Sequence, residues 1–150
     1  MSKPIVCGVD FTDASERALD EAVDLAARLG APVDVLHVYS VPTWVLPEGA
    51  VIPSAEDAAR IAQHAQELVD ALIRARTARG VPLRSVLKSG APWEELCRHG
   101  EEVDALLVVV GTHSRGILRR ALLGSVASKV IRICTRPVLT VPTRRVESRG

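Results

Sequence analysis

At 150 residues, 47% of them apolar and 25% charged, the chain has the length of one domain and the composition of a folded globular protein rather than a disordered one. Aromatic residues make up only 3%, which argues against a base-stacking nucleic-acid platform. The formal charge of +1 conceals an asymmetry: residues 1–110 hold ten Lys/Arg against seventeen Asp/Glu, whereas 111–150 hold nine against one. A basic end of this kind suits an anionic ligand or a solvated face.

Two hydrophobic periods alternate along the chain. "PIVCGVD" (4–10) is short and β-branched, as expected of a buried strand. Asp13 and Glu16 have capping-box spacing, and behind them Leu19, Ala22, Ala26 and Leu29 recur at helical spacing up to Gly30. "VDVLHV" (33–38) predicts the second strand. Residues 40–53, with three prolines and a glycine, predict a long irregular loop of the kind that often carries function. Ser54 to Asp57 form a second cap, and a helix lined by Ile61, Ala65, Leu68, Leu72 and Ala75 runs to about Arg79. "LRSVLK" (83–88) is less apolar and suits an edge strand. Pro92 opens a short helix that turns Leu96 and Cys97 inward. "ALLVVV" (105–110) predicts a central strand buried on both faces. A helix from Ser125 carries Val126, Val130, Ile133 and Cys134, and "VLTV" (138–141) is the last strand.

This β-α-β-α-β-α-β-α-β order predicts a single α/β domain over 1–150. It would hold a five-stranded parallel sheet of order 3-2-1-4-5 with helices on both faces. In such a sheet a ligand binds outside the carboxyl ends of the strands, where the winding reverses between strands 1 and 4. The two loops expected there are "DFTDAS" (10–15) and "GTHSRGILRRALLGS" (111–125). Gly111 allows a sharp exit and close approach to backbone amides. Gly124 and Ser125 start a helix whose unpaired N–H groups favour an anion. Gly111 and Gly116 have phosphate-loop spacing, but Ile117 stands where that loop needs lysine, so the motor-like NTPase reading is excluded.

The stretches "IVCGVDFTDASERAL" and "VVVGTHSRGILRRALLGSVASKVIRICTRPVLTVP" resemble the universal stress protein family over essentially the whole chain. The resemblance implies a Rossmann-like fold, similar to the adenine nucleotide alpha hydrolases, and a homodimer. The family contains ATP binders and non-binders, and the binders carry the signature G-x2-G-x9-G-[ST]. Here Gly111, Gly124 and Ser125 match it, with Ser114 in place of the second glycine. By the same resemblance Asp10 and Val38 face the base, Thr12 lies near the phosphates, and Val126 follows the hydroxyl residue into the site. His113 is either a phosphate contact or a solvated loop residue. The ligand expected is ATP, or ADP or AMP, with or without Mg²⁺.

The remaining polar residues suggest no nucleophile or acid–base pair, so no catalytic residue is assigned and at most slow ATP hydrolysis is expected. Cys7, Cys97 and Cys134 are dispersed in apolar surroundings and are expected to be unpaired small hydrophobes in a reducing compartment. No signal-peptide pattern opens the chain and no stretch approaches the ~20 apolar residues that span a bilayer, so a cytoplasmic protein without membrane contact is expected. The apolar last strand (137–141) suits pairing with a second copy. The functional expectation is an adenine-nucleotide-binding stress or signalling module, its alternative a nucleotide-free dimeric interaction protein of the same fold.

Overall fold

A computed structural model describes residues 2–112 and 123–143. Its elements are β1 (Ile5–Gly8), α1 (Asp13–Leu29), β2 (Val33–Tyr39), β3 (Trp44–Leu46), β4 (Gly49–Val51), α2 (Ala55–Arg74), β5 (Leu83–Ser89), α3 (Pro92–Glu102), β6 (Leu107–Gly111), α4 (Ser125–Ile133) and β7 (Val138–Val141). The main sheet has the order β5-β2-β1-β6-β7, all parallel, with Ile5 opposite both Val33 and Leu107. Without β3 and β4 this is the 3-2-1-4-5 order expected.

Side chains alternate across each strand, and the two faces build two cores. Ile5, Cys7, Val9, Val33, Val35 and Val109 meet α1 through Leu19, Ala22, Val23 and Ala26, and meet α2 through Val69 and Leu72. Val6, Leu36, Val108 and Val110 face the other way, onto Leu96 and Cys97 of α3 and Ala127 and Val130 of α4. Cys7 lies on the first face, fully buried, and burial pushes its thiol up to about 12.

Several local expectations are corrected. The cap of α1 is Thr12, whose hydroxyl accepts from the Ser15 amide; Asp13 is the first helical residue, where its charge meets the positive end of the helix dipole. α2 ends at Arg74, and a 3-10 turn over Thr77–Arg79 leads to Gly80 in the left-handed conformation. Leu68 and Ile133, placed on inward stripes, are 37% and 48% exposed. The 40–53 segment contains a regular element: β3 and β4 form an antiparallel ribbon in which Val45 is 81% exposed. Cys97 and Cys134 are not separate hydrophobes but a disulfide joining α3 to the end of α4.

One buried polar group needs its partners. Asp34, 2% exposed near the start of β2, accepts from His99 Nε2 at 2.8 Å and from Arg84 Nε at 2.6 Å. Burial opposes its charge, but the hydrogen bond from His99 and the adjacent Arg84 guanidinium outweigh it and hold the carboxyl below its ordinary range. No helix among the described residues is long and apolar enough to cross a membrane.

Candidate nucleotide site

At the carboxyl end of β1 the chain must leave a buried strand and enter α1 within four residues. It does so through Phe11, which has φ +64°, a conformation that costs an aromatic residue about 1–2 kcal/mol. The surrounding bonds hold it there. The Asp10 amide donates to Ser15 Oγ at 3.1 Å, and that hydroxyl donates to the Thr12 carbonyl at 3.1 Å. Asp10 Oδ1 accepts from the Thr12 amide at 3.1 Å and from the Thr12 hydroxyl. The Phe11 ring rests on His37 with centroids 4.5 Å apart, and His37 Nδ1 donates to the Val9 carbonyl at 2.7 Å. The turn therefore fixes Asp10 in an exposed position, and Oδ2 takes no hydrogen bond among the described residues.

Beside this carboxylate a cleft of ≈ 180 Å³ opens between the second sheet face and the first turns of α3 and α4. Its walls are Gly8 and Asp10 of the β1 end, Leu36 and Val38 of β2, Val110 and Gly111 of β6, Pro92 and Leu96 of α3, and Gly124, Val126 and Ala127 of α4. The lining is mostly apolar, and the exposed Asp10 stands at its mouth. This suits a flat heteroaromatic ring whose edge must be hydrogen-bonded. At one end lies the start of α4. Its cap residue, Gly124, carries no side chain to occupy the first-turn amides of the helix, which leaves the positive dipole end facing the cleft.

Gly111 owes its identity to packing as well as to any ligand. Its φ is not positive, but a Cβ there would stand 2.9 Å from the Ala14 carbonyl oxygen and 3.0 Å from its carbon. α1 can thus approach β6 only over a glycine. At Gly8 the demand is softer: a Cβ there would stand 2.9 Å from Leu96 Cδ1, the movable end of a side chain rather than backbone. The Gly124 amide is already committed, donating to the Thr112 carbonyl at 2.6 Å, while the Thr112 amide donates to Val141 at 3.0 Å. These bonds tie the start of α4 to the end of β6 and to β7.

Of the expected site residues, Asp10, Val38, Gly111, Gly124 and Val126 line this one cleft. Thr12 stands behind Asp10, its hydroxyl engaged by the carboxylate and the helix cap. Ser125 is exposed at the first position of α4, outside the lining. His113 and Ser114 lie outside the described residues. Leu36 and Gly8 were missed, although period-two spacing from Val38 and Asp10 puts them on the same face. Pro92 and Leu96 carried no such signal, because they reach the cleft only through the seating of α3 on Gly8. Among the described residues no group of three or more His, Cys, Asp or Glu side chains is placed to hold a metal ion.

A doubly wound α/β protein with an apolar crevice at its topological switch point is the class these features define. The chain belongs to the universal stress protein family, whose model matches residues 1–142. It is 33% identical over 147 residues to a universal stress protein of Mycolicibacterium smegmatis, covering 94% of this chain but only 46% of that protein. It is 29% identical to universal stress protein YxiE of Bacillus subtilis, covering 94% of this chain and 99% of the relative. The chain thus spans about half of the first of these and nearly all of the second. Among solved structures it is similar in fold to MJ0577 (TM-score 0.76, 21% identity, 95% and 97% of the two chains covered). A universal stress protein solved in complex with cAMP matches at TM-score 0.70 and 28% identity over 95% and 98% of the chains. The Archaeoglobus fulgidus protein solved in complex with dAMP matches at 0.63 and 29% over 93% and 97%.

Proposed function

We propose that this chain binds an adenine nucleotide in the cleft between β1, β2, β6 and the first turns of α3 and α4, as a stress or signalling module. The observation that carries the reading is the combination of an apolar slot with one fixed carboxylate at its mouth. Leu36, Val38, Leu96 and Val126 supply surface for the base, and Asp10 Oδ2 is an acceptor for its exocyclic amine. A carboxylate would repel a phosphate, so the phosphates extend the other way, toward the start of α4, Gly124 and Ser125. The cAMP and dAMP complexes of two similar proteins support the same ligand class. ATP, ADP and AMP share the base, and Mg²⁺ would enter only with the polyphosphate.

Mass spectrometry of ligand released from native protein, followed by calorimetry with ATP, ADP and AMP, tests the reading. Binding of at least one of the three is expected. Asp10→Ala should weaken it tenfold or more, as loss of a hydrogen bond to a charged acceptor is worth about 1.5–3 kcal/mol. Absence of co-purified nucleotide together with no heat from any of the three would leave the alternative, a nucleotide-free interaction protein. The same reading includes a single domain that forms a homodimer through β7, an edge strand of the main sheet whose Leu139 is 38% exposed. Light scattering showing a monomer at micromolar concentration would remove the dimer.

A further inference from the structure

We infer that the Cys97–Cys134 disulfide is a redox-sensitive clasp that sets the width of the nucleotide cleft. This rests on the nucleotide reading above and adds a regulatory input to it. The roof of the cleft is built from two helices, α3 contributing Pro92 and Leu96 and α4 contributing Gly124, Val126 and Ala127. Those helices meet along one interface, and the disulfide is its only covalent contact, joining residues 37 apart in sequence. Cys97 directly follows Leu96, whose side chain packs against Gly8 at the cleft floor. Cys134 closes α4, its amide donating to Val130 at 3.0 Å.

Beside the disulfide the two helices share buried apolar packing, Leu96 with Ala127 and Val130 in one cluster, and a few polar contacts at its ends. At the cleft end, Lys129 Nζ lies 3.6 Å from the Trp93 ring centroid. At the far end, the Thr135 hydroxyl donates to exposed Glu101 at 2.5 Å, and Arg136 pairs with Asp104 at 2.8 Å. Contacts between exposed side chains such as Lys129, Thr135 and Glu101 are weak and exchange with water, whereas half-buried Arg136 also donates to the Ala105 carbonyl at 2.8 Å and holds the far end. Cutting the disulfide therefore leaves the helices packed, with two thiols that behave as small hydrophobes, but frees α4 to shift against α3. A roof that must be re-ordered on binding costs affinity.

The chemistry is reversible exchange with a dithiol. Its thiolate attacks Sγ of Cys134, the more exposed partner, breaks the Sγ–Sγ bond and forms a mixed disulfide, releasing Cys97 as a thiolate that takes up a proton. The second thiol of the reductant then displaces Cys134. The protein gains two electrons and two protons, and the dithiol is oxidised to its own disulfide. Cys7 cannot intervene, being fully buried on the opposite face of the sheet.

The test compares ATP binding to the full chain in oxidised form, after treatment with dithiothreitol, and as Cys97→Ala/Cys134→Ala, with thiol alkylation and mass spectrometry reporting the bond. The Kd should rise at least threefold on reduction. The double variant should match the reduced protein and ignore dithiothreitol. Hydrogen exchange of the α4 amides, read without nucleotide, should quicken on reduction in the parent and be quick in the variant throughout. Equal Kd values and equal exchange in both redox states overturn the clasp, as does failure of Cys97 and Cys134 to join under mild oxidant. Faster exchange with no ATP binding in either state retains the clasp as a structural lock and overturns its coupling to nucleotide together with the nucleotide reading.

Discussion

Replacing Gly111 with alanine separates two reasons for a glycine at the end of β6. If the residue were needed only to let a ligand approach, alanine in the ligand-free protein would be neutral or favourable. The unfolded chain loses entropy, and a Gly→Ala change at a compatible φ stabilises by about 0.4–1 kcal/mol. The structure predicts the opposite sign. The new methyl would lie 2.9 Å from the Ala14 carbonyl oxygen, 3.0 Å from its carbon and 3.2 Å from its Cβ, all in the first turn of α1. Main chain pinned at both ends cannot rotate away, and such overpacking costs about 1–3 kcal/mol. The net expectation is a loss of about 1–2 kcal/mol. For a chain of this size that lowers the urea midpoint by about 0.5–1 M at unchanged slope. Gly8→Ala is the internal comparison: its 2.9 Å neighbour is the flexible end of Leu96, so its cost should be smaller. A Gly111→Ala protein as stable as the parent, or more so, would refute the reasoning and return this glycine to the ligand alone.

Three further outcomes are expected. Thr12→Val keeps the shape but removes the hydroxyl that caps α1 and binds Asp10, and should cost about 1 kcal/mol in urea denaturation; an unchanged midpoint would show that the cap is idle. Asp34→Asn leaves Arg84 without its buried counter-charge and His99 with a weaker acceptor, and should cost about 1–3 kcal/mol at pH 7, the screening of half-exposed Arg84 holding it below the cost of a fully buried pair. Because folded Asp34 lies below its unfolded value, its contribution is whole above about pH 4 and is lost as pH falls through the folded value. The gap between parent and variant should therefore narrow in acid, and a gap constant from pH 7 to 3 would sink the assignment. Cys97→Ala/Cys134→Ala opens a loop of 37 residues and should lower stability by up to about 4 kcal/mol, read as a fall in the denaturation midpoint of oxidised protein.

Several residues that line the cleft were legible because they lie at the ends of regular elements. Asp10, Val38 and Gly111 stand where three predicted strands stop, so the strand order alone brings them together. What the sequence hid was the division of labour around them. Capping-box spacing pointed to Asp13 as the start of α1, but Thr12 takes the cap because its hydroxyl reaches both the Ser15 amide and the Asp10 carboxylate. The 40–53 ribbon escaped notice because its prolines flank the paired residues and interrupt neither strand.

The sequence by itself determined the α/β alternation, the parallel sheet and its order, the switch-point location of the cleft and the family. The first three follow from local periodicity and chain connectivity, which a linear string carries in full; the family follows from the resemblance of the two stretches at its ends to a known signature. Only the tertiary structure decided which glycines are steric necessities, that Pro92 and Leu96 complete the cleft, and that Cys97 meets Cys134. Those facts depend on how closely one helix approaches another or a strand. That distance is set by the packing of side chains far apart in sequence, and no local pattern records it.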